Sequence, residues 1–184
     1  MNPRQAASTS GRTNGIRADV SRRAFLALGS NVGNREQYLR DAVARLASAT
    51  GVNFLRASSV YETEPVGIAD QPRFLNMVVE IEVEDRVTTR DLLSLAKRIE
   101  SDLGRVRREK WGPREIDIDL LLVGEEKADE ADLKLPHPEM WERAFVVVPL
   151  AELAPELRAP SGESAAQVAE RLRREQGIHG QIRL

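Results

Sequence analysis

The sequence predicts an α+β domain in which an antiparallel sheet carries two helices on one face. Three observations predict it. Leu75, Met77, Val79, Ile81 and Val83 alternate against mostly polar partners, which is the period of a strand. Two amphipathic stretches, each with a helix-start and a helix-stop residue, flank that strand in sequence. Leu120-Leu121-Leu122-Val123 then runs without a polar break to Gly124, as a buried strand does.

Taken in order, Phe25-Leu26-Ala27-Leu28 forms a short apolar strand ended by Gly29. Asn34 with Gln37 marks a helix start, and Leu39, Ala42, Val43 and Leu46 recur at helical spacing until Gly51. A second strand runs roughly from Val52 to Tyr61, and a loop rich in Pro and Gly leads to the alternating strand at 75–83. Thr88 and Asp91 open a second helix with Leu92, Ala96, Ile99 and Leu103 on one face, closed by Gly104. The strand at 117–123 completes the order β-α-β-β-α-β, a ferredoxin-like core. Residues from about 127 to 160 form an added C-terminal lobe of short elements. A last helix at 165–174 carries the stripe Ala165, Val168, Ala169, Leu172. The expected division is a disordered tail at 1–22, one domain at 23–162, and a C-terminal helix and tail at 163–184. The first 20 residues are rich in Ser, Thr, Asn, Gly and Arg and have almost no large apolar side chains. Arg-rich and acid-poor also describes an organelle transit peptide, but Pro3, Gly11 and Gly15 break the helix such a peptide needs.

The 184 residues suit one domain with a single core. Hydrophobic content of 41% and charged content of 30% are ordinary for a soluble globular chain, and no apolar run approaches a membrane span. A net charge of −2 offers no global field for nucleic acid. Without cysteine there is no disulfide, thiolate metal site or cysteine nucleophile, in keeping with a cytoplasmic location. Positive charge is local: residues 97–114 hold seven basic side chains against three acidic ones.

Those basic residues lead into Gly112-Pro113-Arg114-Glu115-Ile116-Asp117-Ile118-Asp119. On a strand, Asp117 and Asp119 share a face, roughly 6–7 Å apart. Two carboxylates so placed repel each other and resist desolvation. A hard divalent cation removes that penalty, and Mg²⁺ is commonly held by one or two carboxylates plus substrate phosphates. Carboxylates beside a basic loop are the parts phosphoryl transfer needs. From the paired aspartates alone, a solvated acidic edge strand is an equal reading. Gly29-Ser30-Asn31-Val32-Gly33 matches neither G-x-x-x-x-G-K-[ST] nor G-x-G-x-x-G and reads as a strand-to-helix turn. Phe74 and Asn76 share a strand face, an aromatic ring beside an amide, which suits a flat nitrogen-rich heterocycle; core packing is the competing reading for the ring.

The 110–123 segment resembles the 6-hydroxymethyl-7,8-dihydropterin pyrophosphokinase family. So do Ala27-Leu28-Gly29-Ser30-Asn31, Tyr61-Glu62-Thr63-Glu64-Pro65-Val66-Gly67, Asp70-Gln71-Pro72-Arg73-Phe74-Leu75-Asn76, Gly104-Arg105-Val106-Arg107 and Leu135-Pro136-His137-Pro138, all in family order. The resemblance implies Mg²⁺-dependent transfer of pyrophosphate from ATP to the pterin alcohol in folate biosynthesis, releasing AMP. It implies two Mg²⁺ ions on Asp117 and Asp119, with Arg105 and Arg114 as catalytic cations. It implies that Phe74 and Phe145 sandwich the pterin, with Thr63, Val66 and Asn76 at its edge. Lys97, Glu100, Arg107, Trp111, His137 and Arg143 fall to ATP. Closure of the 105–115 loop is expected to exclude water. Small-molecule substrates, no nucleic acid, no membrane and a monomer complete the expectation. The chain departs from the family pattern at Glu64, where proline or a small residue is frequent, and at Pro138, where an aromatic is common. The segment between Arg107 and Trp111 is one residue short. His179 has no support for a role and is left as surface. Two other readings are a non-catalytic ferredoxin-like ligand-binding or regulatory module, and a nucleotidyltransferase that would release pyrophosphate instead of AMP.

Overall fold

The computed structural model describes residues 21–65, 70–106 and 112–182. Its elements are β1 (Ser21–Ser30), α1 (Arg35–Ala47), β2 (Val52–Ala57), β3 (Val60–Thr63), β4 (Phe74–Glu84), α2 (Thr89–Asp102), β5 (Asp117–Val123), β6 (Ala128–Asp129), β7 (Lys134–Leu135), α3 (Ala144–Leu153), α4 (Ala165–Glu175) and β8 (Ile178–Ile182). One antiparallel sheet runs β5-β1-β4-β3-β8, with β2 also paired to β4. The β-α-β-β-α-β core is therefore present, and two of its expected boundaries shift.

The strand expected from Val52 to Tyr61 is broken at Ser58 and Ser59. Ser58 stands in for a ladder partner there, its hydroxyl accepting from Val78 N at 3.0 Å and its own N–H donating to Val78 O at 2.9 Å. β1 does not stop at Gly29. It continues through Gly29 and Ser30, which pair with Asn76 and Leu75. It also starts at Ser21, which pairs with Glu84, inside the stretch assigned to the tail.

Both core helices start where their caps place them. Asn34 accepts from Gln37 N, and Thr88 forms a reciprocal capping box with Asp91. Their apolar stripes (Leu39, Ala42, Leu46; Leu92, Ala96, Ile99) cover one sheet face, against Leu26, Leu28, Met77, Val79, Ile81, Ile118 and Leu120.

The C-terminal lobe covers the opposite face. Val146 and Leu150 of α3, with Met140 from a 3-10 turn over Met140–Glu142, pack on Phe25, Val78 and Leu121. Helix α4 packs behind α3 through Val168, Ala169 and Leu172. The alternation in β4 therefore does not report a wet face: Asn76, Val78 and Glu80 are all buried. Glu80 is paired there with Arg23 and Arg56, whose Nε lies 2.7 Å away. The sequence showed α4 by its stripe but not α3, whose residues are nearly all apolar and include Pro149. A helix apolar all round has no stripe to read, and it is stable because it is buried on both sides.

α3, α4 and β3 meet at Tyr61. Its hydroxyl bonds Glu152 of α3 and lies 3.3 Å from Arg173 Nη2 of α4. Burial, with the neighbouring Glu152 carboxylate second, pushes the Tyr61 pKa up to about 12. The neutral phenol is thus favoured by folding. Its contribution is complete below the unfolded value near 10 and is lost as pH rises through 12. In urea melts, the stability advantage of the parent over Tyr61→Phe should shrink between pH 9 and pH 11.5. A gap that stays constant would show that the phenol ionises alike in both states.

Candidate active site

β5, β1 and β4 carry a polar row across one end of the sheet, on the face covered by α3. Asp117 pairs with Gly29, and Gly29 pairs with Asn76, so the three residues are cross-strand neighbours. One step further along, Asp119 pairs with Ala27. Phe25, Val78 and Leu121 continue this face as apolar core. The polar row stays uncovered because α3 begins only at Ala144, and the space before its first turn is a cavity. Asp117, Asp119, Arg114, His137, Arg143 and Phe145 line it on one side, and Thr63, Phe74, Asn76 and Gly29 on the other.

The carboxylates are not equivalent. Asp117 receives two guanidinium groups, Arg105 at 2.7 Å and Arg114. Among the described residues Asp119 has no such clamp; burial, and next the charge of Asp117, push its pKa up. Arg105 also pairs with Glu100, a buried side chain whose Oε1 accepts the Ile118 N–H at 2.8 Å. Burial raises the Glu100 pKa, offset in part by Lys97, whose Nζ lies 3.3 Å away. Lys97 and Glu100 are not part of the cavity lining. Glu100 holds Arg105, which is likewise outside the lining, and through Ile118 the strand that bears the aspartates, while Lys97 pairs with Glu100.

At the opposite side, Asn76 Nδ2 donates to Thr63 Oγ1 at 2.7 Å. A Cβ at position 29 would come within 2.8 Å of Asn76 Oδ1 and 3.8 Å of Phe74 Cδ1, so the floor requires glycine. Phe74 and Phe145 are half-buried, leaving ring surface exposed to the cavity. Val66, expected at the same edge, lies outside the described residues. Glu64 has partners instead of hanging loose: Arg73 Nε at 2.9 Å and His179 Nε2 at 2.8 Å. His179 is thus tied to the loop beside the cavity and is not an idle surface group.

His137 accepts the Glu139 N–H on Nδ1 at 3.3 Å, and burial lowers its pKa. The neutral ring then carries its proton on Nε2, a donor that does not depend on charge. Arg143 pairs with Glu139, and its guanidinium carbon is 5.6 Å from the Phe145 ring centroid. Arg107 and Trp111 fall outside the described residues.

The residue that sequence reasoning missed is Asn31. Its side chain is buried and holds two loops against a third. Nδ2 donates to Gln71 Oε1 at 3.0 Å and to Pro72 O at 3.1 Å, while Oδ1 accepts from Arg114 N at 2.7 Å. Its backbone N–H adds a bond to Arg114 O at 3.0 Å. The signal was present in Gly29-Ser30-Asn31, but those residues read as a local turn because their partners are remote in sequence.

The family model for 7,8-dihydro-6-hydroxymethylpterin-pyrophosphokinase matches residues 25–155, which include every described residue of the cavity. The chain belongs to this family. It is 50% identical over 130 residues to the 2-amino-4-hydroxy-6-hydroxymethyldihydropteridine pyrophosphokinase of Bacillus subtilis, covering 71% of this chain and 77% of that protein. It is 47% identical over 135 residues to the enzyme of the same name from Methylorubrum extorquens, covering 73% and 84%. A mitochondrial folate synthesis bifunctional protein of Pisum sativum is 42% identical over 128 residues, which are 24% of its length. Among solved structures, wild-type Plasmodium falciparum HPPK-DHPS with pteroate superposes with a TM-score of 0.64 at 14% identity, over 85% of this chain and 44% of that one. At that identity the likeness shows a shared fold, and this chain spans less than half of the two-enzyme chain. The pyrophosphokinase model ends at residue 155, so α4 and β8 lie outside the matched stretch.

In this pyrophosphokinase scaffold, Asn31 should act as the joint between loops. Asn31→Ala leaves the Arg114 N–H and the Pro72 carbonyl without their partner, at a cost of about 1–3 kcal/mol in urea denaturation. A loss below about 0.5 kcal/mol would mean that solvent replaces the amide and that the loops are held elsewhere.

Proposed function

We propose that this chain transfers the β,γ-pyrophosphoryl group of ATP to 6-hydroxymethyl-7,8-dihydropterin, producing AMP and the pterin diphosphate in folate biosynthesis. Family membership supports the reaction. The observation that carries it to particular residues is one cavity with the carboxylates, the cationic groups and the Phe145 ring at one side and the Phe74 ring with an amide at the other.

The two sides divide the work. Phe74 and Phe145 stack on the faces of the pterin, and Asn76, held by Thr63, reads its edge, with Val66 contributing from the adjoining loop. His137 and Arg143 take phosphate oxygens, the first as a neutral donor and the second as a cation. Arg107 and Trp111 add to the nucleotide site. Glu100 acts at one remove by holding Arg105, and Lys97 by pairing with Glu100. Arg105 and Arg114 stabilise the charge that builds on the transferred group and on the leaving AMP oxygen.

Asp117 and Asp119 fit Mg²⁺. They lie on one strand face, they line the same cavity, and burial, with the charge of Asp117 second, pushes the pKa of Asp119 up, a penalty that a bound cation would offset. Among the described residues no group of three or more His, Cys, Asp or Glu gathers to hold a metal. The remaining ligands would therefore come from phosphate oxygens and water, as Mg²⁺ usually takes them. Two such ions would supply charge neutralisation on the phosphates.

The chemistry then needs position more than covalent help. The pterin hydroxyl oxygen bonds to the β-phosphorus as the bond from that phosphorus to the α,β-bridging oxygen breaks, so the bridging oxygen leaves with AMP and the hydroxyl proton is released. All the groups named come from one chain, which supports a monomer, placed in the cytoplasm with its soluble substrates. No helix among the described residues is long and apolar enough to cross a membrane.

Product identity tests the reading. Incubation with ATP, Mg²⁺ and the pterin alcohol should yield AMP and pterin diphosphate in equal amounts. Release of pyrophosphate would indicate a nucleotidyltransferase, and no nucleotide turnover would indicate a binding module.

Asp117→Asn and Asp119→Asn should each reduce turnover to background while leaving the fold intact. Asp119→Asn should melt at or above the parent because like-charge repulsion is removed, whereas Asp117→Asn gives up its pairing with Arg105 and Arg114 and should melt below it. Near-normal turnover of either variant at limiting Mg²⁺ would sink the metal assignment.

Phe74→Ala and Phe145→Ala should each weaken a pterin analogue by about 1–3 kcal/mol in calorimetry, by analogy with base–aromatic stacking, and leave a non-hydrolysable ATP analogue nearly unaffected. Equal loss of both ligands would assign the rings to the core.

A further inference from the structure

The first turn of α3 is capped from outside the family-matched stretch. An α-helix starts with N–H groups that have no carbonyl of their own, and Ser, Thr, Asp or Asn at the cap position usually accepts one of them. The cap residue of α3 is Arg143, which makes no side-chain cap bond. Its side chain serves the cavity, paired with Glu139 and standing over Phe145. Val146 N and Val147 N reach Arg143 O at 3.0 and 2.9 Å. The Ala144 N–H instead donates to Gln176 Oε1 at 2.9 Å. The same amide donates from Nε2 to Glu142 O at 2.8 Å. Gln176 therefore bridges the two peptide groups on either side of Arg143 and fixes the extended backbone there, φ −111° and ψ 111°.

Two further contacts place Gln176 firmly. Its own N–H closes α4 by bonding Leu172 O at 2.9 Å. Directly after it the chain enters β8, where Ile178 pairs with Thr63 of the cavity wall. Gly177 passes so close to that wall that a Cβ would meet His179 Nε2 at 3.1 Å and Glu64 Cγ at 3.9 Å. Gln176 thus sits where the C-terminal segment touches both edges of the site, Thr63 with Glu64 and Arg143 with Phe145.

We propose that Gln176 is a positioning residue for substrate binding: through its two amide bonds it sets Arg143 and Phe145 against the rest of the cavity. It touches neither substrate. This rests on the pyrophosphokinase reading above, in which Phe145 meets the pterin and Arg143 the ATP phosphates. Both halves of the amide are needed, a donor for Glu142 O and an acceptor for Ala144 N. A carboxylate at 176 retains the acceptor, favoured at a helix N-terminus, but opposes the Glu142 carbonyl.

The test compares full-length Gln176→Ala and Gln176→Glu with the parent by two measurements. Amide hydrogen exchange at Ala144 needs no substrate and reads the cap itself. It should quicken about tenfold in Gln176→Ala, the scale of one lost hydrogen bond, and stay near parental in Gln176→Glu. Steady-state kinetics should show KM rising about tenfold for the pterin and for ATP in Gln176→Ala, with a smaller rise in Gln176→Glu. A residue that only stabilised the fold would lower apparent kcat through loss of active protein and leave both KM values in place. Unchanged exchange in Gln176→Ala, or faster exchange with both KM values unmoved, overturns the proposal. A parent protein that releases no AMP overturns the pyrophosphokinase reading instead, before any variant is made.

Discussion

Three loops surround the cavity, and one buried amide keeps them in register. The Asn31 side chain donates two hydrogen bonds to, and accepts one from, groups that belong to the neighbouring loops, at Gln71, Pro72 and Arg114. A buried amide left half-paired is costly, so the loops are not free to shift independently. The backbone at Arg114 is fixed twice over, by the side chain and by the main chain of Asn31. That fixes where the Arg114 guanidinium meets Asp117, and the cationic wall of the site follows from it. Glu100 does the corresponding work from the helix side, holding Ile118 of the aspartate strand and the Arg105 guanidinium together.

The sheet makes this possible by being covered on both faces while staying polar at one end of one face. Leu26, Leu28, Met77 and Val79 supply a continuous core under α1 and α2. The opposite face changes character along each strand, from Phe25 to Gly29, from Val78 to Asn76 and from Leu121 to Asp117. The apolar end anchors α3, and the polar end is left for ligands. Stability and binding thus share strands, and meet at Leu28, Leu121 and Val146, core residues that also line the cavity. Placing carboxylates and an amide on rigid strands also holds them more closely than loops would.

What the sequence made legible was what is encoded over a few residues. The caps at Asn34 and Thr88, the stripes of α1, α2 and α4 and the alternation of β4 are local patterns, and each element forms where its pattern lies. The carboxylate pair and the ring–amide pair Phe74 and Asn76 were readable for the same reason, since strand geometry alone puts alternate residues on one face. Arg114 was readable as the basic residue just before the carboxylate strand. Helix α3 was not readable, because three valines, a proline and an apolar surface all round give no period to detect. Nor was β8: Ile178-His179-Gly180-Gln181-Ile182 has little strand character of its own and is held extended by pairing with β3. The polar positions of β4 looked solvent-facing because the sequence does not show what will cover them. Asn31 and Gln176 escaped because their partners lie 40, 83, 32 and 34 residues away.

Gly29 bears on how such a site can change over time. Its missing side chain leaves the space that Asn76 and Phe74 occupy, and any other residue there would push the Asn76 amide aside. Asn76 in turn is tied to Thr63, and Asp117 is tied to two arginines. The floor of the cavity is thus closed to stepwise variation, because each first substitution disturbs a neighbour before it can gain anything. The rim at Glu64, whose partners Arg73 and His179 are themselves exposed, offers more room. Drift in ligand preference, and escape from a competitive inhibitor, would therefore begin at the rim, while compounds that press on the floor would face the fewest routes around them.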